Sequence, residues 1–192
     1  MIRIAIITGS TRPGRKVEAV SKWVYETALQ RSDADFQIID IKDFDLPLLD
    51  EPIPAAMNQY TKPHTLKWAE TIAAFDGYVF VTPEYNHSTS AALKNAIDYL
   101  YKEWENKAAG FVSYGAIGGA RAVENLRLVM GNLMVATVRD QVMLSLFADF
   151  ENYEIFKPHP RHEKNLHSMF EQVIVWAKAL STVREKKLEE AA

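Results

Sequence analysis

Three short segments of the chain gather residue types that could do chemistry, and each directly follows an apolar run. The first is Gly9-Ser10-Thr11-Arg12-Pro13-Gly14-Arg15-Lys16, which leads into an amphipathic stretch starting at Val17. A helix beginning there has a positive N-terminal end, so each added cation costs about 0.3–1 kcal/mol. Three cations nonetheless fall within five positions, Arg12, Arg15 and Lys16. A bound dianion restores the balance, with the Ser10 and Thr11 hydroxyls and the free backbone N–H groups around Val17 as donors. The alternative is a solvated basic turn capped by Ser10 or Thr11. Two nucleotide motifs fail: the P-loop needs Lys then Ser or Thr after the second glycine, where this chain has Gly14-Arg15-Lys16-Val17. The dinucleotide pattern needs a glycine where Thr11 stands. A single terminal phosphate fits better than either.

The second segment, Pro83-Glu84-Tyr85-Asn86-His87-Ser88, offers a stiff entry at Pro83, an aromatic face at Tyr85 and a two-way hydrogen-bonding side chain at Asn86. The third, Ser113-Tyr114-Gly115-Ala116-Ile117-Gly118-Gly119, places three glycines in five positions, so backbone can approach a ligand closely or simply turn tightly. Together the segments describe a phosphate socket beside aromatic, backbone-rich walls. Flavin mononucleotide (FMN) has that shape, with a planar polar-edged ring and one phosphate. Competing chemistries are poorly supplied. The chain has no cysteine, which excludes thiolate nucleophiles, disulfides and Cys-held clusters. His159-Pro160-Arg161-His162 lacks a carboxylate arranged with it as a metal set, and no Gly-x-Ser-x-Gly elbow occurs. Glu84 is the only carboxylate in the three segments, and hydride transfer to a flavin needs no general base at its core step.

These segments need a scaffold that brings them to one edge. Apolar, β-branched runs at 2–8, 36–41, 78–82, 110–113 and 134–144 alternate with amphipathic stretches marked by Val17/Val20/Val24, Leu66/Ala69/Ile72, Leu93/Ile97/Leu100, Ala122/Leu126/Val129 and Leu166/Phe170/Val173. Such alternation predicts an α/β doubly wound fold with a five-stranded parallel sheet, whose ligands bind outside the carboxyl ends of the strands. Helix three is expected to start at an N-cap of Thr89 or Ser90, and the four tryptophans, Trp23, Trp68, Trp104 and Trp176, to pack. The proline-rich stretch 43–63 reads as a lid or a wall, and 184–192 as a solvated, frayed tail. With 192 residues, 48% hydrophobic and 24% charged, the chain is expected to form a single domain spanning 1–192. Its net charge of −3 carries no basic stripe for nucleic acid, and no run approaches a membrane span. We expect a cytoplasmic protein without nucleic-acid or membrane partners.

At these same residues the sequence resembles the NAD(P)H-dependent FMN reductases, flavodoxin-like enzymes that include quinone, azo-dye and chromate reductases. The most specific stretches are Pro83-Glu84-Tyr85-Asn86 running on through Ala92-Leu93-Lys94-Asn95-Ala96-Ile97-Asp98, then Gly9-Ser10-Thr11-Arg12 and Gly118-Gly119-Ala120-Arg121. The resemblance implies that Ser10 and Arg12 hold the FMN phosphate, helped by Thr11, Arg15, Lys16 and Val17. It also implies that Pro83, Glu84, Tyr85 and Asn86 line the ring largely through backbone, and that Ser113, Tyr114 and Gly115 close the opposite side. Arg15, Lys16 and Val17 depart from the family pattern, which has Ser and a small polar residue there. NADPH or NADH is the implied reductant, a quinone, azo compound or free flavin the implied acceptor, and a homodimer or homotetramer the implied assembly. The alternative is a flavodoxin-like FMN electron carrier; such carriers are strongly acidic, which the −3 charge and basic first loop argue against.

Overall fold

A computed structural model describes the backbone of residues 1–191 and the side chains of residues 1–186. The elements run β1 (Ile2–Thr8), α1 (Val17–Ala28), β2 (Ala34–Asp40), α2 (Pro63–Ala73), β3 (Gly77–Pro83), α3 (Ala91–Asp98), β4 (Ala108–Gly115), α4 (Ala120–Asn132), β5 (Ala136–Ser145), a two-residue hairpin of β6 (Phe150–Glu151) and β7 (Ile155–Phe156), and α5 (Arg161–Ala191). The five long strands pair in parallel in the order β2-β1-β3-β4-β5, the doubly wound flavodoxin-like arrangement the alternation predicts. Strand order reverses between β1 and β3, which puts the switch point where the first and second segments emerge.

Alternation along the buried strands feeds two apolar layers. Ile4, Ile6, Val79, Val81 and Val112 pack under α1 and α5, while Ala5, Ile7, Tyr78, Phe80 and Phe111 pack under α2, α3 and α4. Trp68 and Trp104 are fully enclosed, their indole N–H groups donating to the carbonyls of Ala96 (2.7 Å) and Ile97 (3.2 Å). Trp176 departs from the expected packing: it is 49% exposed on α5, and Leu66 on α2 is 52% exposed. On α2 the buried stripe is Thr65, Trp68, Ala69 and Ile72, because the large Trp68 turns its own face inward. Helix α3 does start at Ser90, whose Oγ accepts from Leu93 N–H at 3.1 Å.

Edge strand β5 bulges opposite Ala109–Phe111, and side chains cover the backbone freed there. Arg127 donates to the carbonyls of Val138 (2.7 Å) and Arg139 (3.3 Å), and Gln172 accepts from Asp140 N–H at 3.1 Å. At the sheet edge away from the loops, Lys107 is buried and its Nζ donates to the carbonyls of Ile72 and Ala73, the last turn of α2, and to the Tyr78 hydroxyl. Arg184 donates to Asn106 O at 2.7 Å and pairs with Asp76, so α5 is docked where fraying was expected to begin; the end of that tail, Ala192, lies outside the described residues.

The stretch 43–63 is a wall rather than a swinging lid. Asn95 donates to Pro47 O (2.7 Å) and accepts from Leu49 N–H (2.9 Å), Tyr99 donates to Asp50 (2.9 Å), and Tyr60 donates to Glu103 (2.8 Å). Its far end is closed by Glu51, whose carboxylate accepts from the N–H groups of Thr61 and Lys62 and the Thr61 hydroxyl. Burial alone raises the Glu51 carboxyl, but these hydrogen bonds outweigh it and leave the group at about 2. A carboxyl lowered in the folded state stabilises it fully above the unfolded value of ~4.3 and ceases to do so as pH falls through the folded value. The urea midpoint should therefore drop as pH is taken from 5 towards 2, and Glu51→Gln should flatten that drop while lowering the midpoint at pH 7.

Candidate functional site

The three segments meet at the carboxyl edge of β1, β3 and β4. The chain can leave β1 there because residue 9 is glycine: Gly9 N–H donates to Val81 O at 2.8 Å, and a Cβ at this position would stand 2.7 Å from that carbonyl and 2.7 Å from Leu93. Ser90 donates back to Gly9 O at 2.6 Å, tying the loop to the start of α3. Between the loops lies a cleft of about 470 Å³ lined by Arg12 to Lys16, Pro83, Glu84, Tyr85, Tyr114 and Gly115, with Leu146, Tyr153 and Glu154 on the side of the β6–β7 hairpin.

The cationic loop is more nearly neutral than its sequence suggests. Arg15 has a side chain only 5% exposed and is held by Asp40 at the end of β2, by Glu18 (2.7 Å) and by Ser10 O (2.5 Å). Lys16 pairs with Glu154 at 3.3 Å. Arg12 alone of the three makes no ion pair among the described residues; its guanidinium lies 5.7 Å from the centre of the Tyr85 ring. Helix α1 also follows Lys16 without a side-chain cap, and of its first N–H groups that of Val17 is directed to the Tyr114 hydroxyl. An unneutralised arginine beside an uncapped helix start is an arrangement suited to an anion.

The remaining expected residues divide. Ser10 is buried, with its Oγ 3.3 Å from the Tyr85 hydroxyl and 3.4 Å from Arg12 N, so the Tyr85 side chain leans on the first loop rather than standing apart from it. Thr11 lines a separate hollow of about 300 Å³ between residues 41–46 and α3. Val17 is core. Ser113 is fully buried and donates to Gly118 O at 2.7 Å; a Cβ on Gly119 would stand 2.6 Å from Ser113 Cβ, so this turn needs glycine for its own close packing and not only for a ligand. Tyr114 is buried, and burial keeps its hydroxyl protonated well above neutral pH.

Glu84 is the bolt between two loops. Its side chain, 4% exposed, accepts from Arg121 Nε (2.7 Å), from Arg121 Nη2 and from Arg121 N–H (3.0 Å) in the first turn of α4. Burial raises this carboxyl, and the Arg121 contacts more than offset that, leaving it below the ordinary carboxylate range. Its backbone N–H already donates to Tyr114 O (2.9 Å), and Tyr85 N–H to Ser88 O (2.9 Å). Asn86 and His87 both have positive φ, 47° and 72°, the geometry of a type I′ hairpin turn. Of the expected backbone donors in this segment, Asn86 N–H is the one these contacts leave open, and Asn86 sits in the turn beyond the residues that line the cleft. The sequence reading missed Leu146, Tyr153 and Glu154: they follow β5 with no motif of their own, and only the turn-forming Asn152 hints at a hairpin.

A doubly wound sheet with an anion socket and aromatic walls at its switch point defines a flavodoxin-like mononucleotide-binding protein. Residues 2–149 match the model of the NADPH-dependent FMN reductases, and the chain belongs to that family. The NAD(P)H-dependent FMN reductase ntnL of a Nectria species is 46% identical over 140 residues, covering 68% of this chain and 70% of that one. A quinone reductase of Escherichia coli K12 is 32% identical over 137 residues, 67% of this chain and 69% of its own length. Among solved structures, the flavoenzyme NAD(P)H:(acceptor) oxidoreductase FerB of Paracoccus denitrificans superposes with a TM-score of 0.73 at 21% identity, over 93% of this chain and 98% of that one, a likeness of fold.

The two loop arginines should separate in a thermal melt combined with FMN titration. Arg15→Ala leaves Asp40 without its near-buried partner and should cost about 2–4 kcal/mol of stability. Arg12→Ala should leave the melting temperature of the ligand-free protein nearly unchanged and weaken FMN binding at least tenfold, the order expected for one charge-assisted phosphate contact.

Proposed function

We propose that the chain holds FMN in this cleft as one FMN-binding unit and passes reducing equivalents from NADPH or NADH to a small electron-poor acceptor of the quinone class. The observation that carries the reading is Arg12 standing without an acid partner beside the uncapped start of α1, at the switch point of the sheet. Arg12, the first N–H groups of α1 and the Ser10 hydroxyl are the phosphate donors. Pro83 to Asn86 and Gly115 flank the ring, with Asn86 N–H the free donor of that wall. When bound, FMN supplies the two-electron centre that accepts hydride from a nicotinamide and yields it to the acceptor. The chain positions both partners, and Tyr114 and Leu146 keep water from the inner wall. Glu84 takes no part in proton transfer, because Arg121 holds its carboxylate ionised and occupied.

The family and the relatives' names favour turnover of a small substrate over the electron-carrier alternative. The same reading makes the protein a homodimer or homotetramer: Leu128, 78% exposed on α4, borders an apolar groove between α3 and α4 of the kind that a second copy covers. Among the described residues no helix is long and apolar enough to cross a membrane. We place the protein in the cytoplasm, a compartment that supplies reduced nicotinamide.

The test begins with colour. Purified protein, or protein incubated with FMN and desalted, should be yellow; NADPH or NADH should bleach it anaerobically, and a benzoquinone should restore the colour with steady consumption of the nicotinamide. A protein that takes up no FMN overturns the reading, and a yellow protein indifferent to both nicotinamides restores the carrier.

A further inference from the structure

The lining of the phosphate end of the cleft contains a carboxylate, where a dianion is the expected guest. Glu154 sits in that lining with its side chain 75% exposed and Oε2 3.3 Å from Lys16 Nζ, at the residue that opens α1. A bare acid beside an anion socket weakens the socket both by repulsion and by occupying a cation that could serve it.

The placement of Glu154 is built rather than incidental. It lies at the tip of the hairpin 150–156, in a three-residue turn whose Asn152 and Tyr153 have φ of 51° and 60°. Left-handed backbone is costly for a bulky residue such as Tyr153 and persists where surrounding structure imposes it. Tyr153 packs edge-on against Phe147 at 5.8 Å and lines the cleft beside Glu154. The hairpin's base is fastened by Asp149, which is fully buried and accepts from Ser145 N–H (2.8 Å), His159 N–H (3.0 Å) and His162 Nε2 (3.0 Å). A fixed base carries the turn to the wall of the cleft, and from there the Glu154 carboxylate reaches Lys16.

We propose that Glu154 is a built-in competitor for the FMN phosphate: it holds Lys16 in the ligand-free protein, gives it up when FMN binds, and so sets how loosely the flavin is retained. This rests on the phosphate assignment above and concerns Glu154 and Lys16 alone. The hairpin thereby tunes flavin exchange without touching the hydride-accepting end of the site.

The test measures dissociation constants for FMN and for riboflavin, which lacks the phosphate, by quenching of flavin fluorescence at low and high salt. Glu154→Gln should tighten FMN about three- to tenfold at low salt, slow its release, and lose most of that gain at high salt, as expected for exposed charges. Riboflavin affinity should not change, and on a Lys16→Met background the Glu154→Gln gain should shrink to the part owed to direct repulsion of the phosphate. An FMN affinity unchanged or weakened by Glu154→Gln overturns the competition, as does equal tightening of riboflavin or full tightening without Lys16. If wild-type protein binds no FMN, or Arg12→Ala binds it as tightly as wild type, the phosphate assignment itself fails instead.

Discussion

The site depends on a close approach at one residue. For the first loop to rise from β1 and still seal against β3, residue 9 must pass within hydrogen-bonding distance of Val81 O while Leu93 presses from α3, and only a residue without Cβ fits. From that point Ser10 reaches Tyr85, Ser90 clasps Gly9 O, and α1 starts after Lys16 without a side-chain cap. The contact of Thr8 Oγ1 with Ser21 Oγ, 2.9 Å apart under α1, fixes the other side of the same junction. The shape of the first loop is thus a consequence of how two parallel strands part at the switch point, with side chains added afterwards.

Charge is then distributed by the fold rather than by the loop. Three cations adjacent in sequence receive three treatments: Arg15 is drawn inward to Asp40, Lys16 is met by Glu154 from the hairpin, and Arg12 is left over the Tyr85 ring. Glu84, the acid most conspicuous in the sequence, is likewise removed from solvent by Arg121 and couples the second and third loops mechanically. Arg15 and Glu84 therefore brace the walls of the cleft, and neither is left free for proton transfer.

How much of this was legible follows from the range of the interactions involved. Strand and helix order could be read because alternating burial imprints a local period, and the Ser90 cap because capping is a contact between near neighbours in sequence. The convergence of the three loops at the switch point followed from topology. The fate of Arg15 was not legible, since Asp40 lies at the end of a different strand; nor was that of Glu84, whose partner is 37 positions away. The hairpin escaped notice because two-residue strands leave no periodic signal, and with it went Tyr153 and Glu154. Trp176 shows the opposite limit: helical spacing marks an apolar residue without saying which side of α5 has a neighbour.

Lys107 has a consequence of another kind, in covalent durability. Burial and the nearby Arg184 charge bring its amine down to about 7, which would make it a good nucleophile at neutral pH if anything could reach it. It is 4% exposed, with Ile72 O, Ala73 O and the Tyr78 hydroxyl around its Nζ, at the opposite edge of the sheet from the cleft. With no cysteine anywhere in the chain, an electrophile finds no thiol to arylate, and the amine that burial activates is kept behind the packed end of α2, out of its reach.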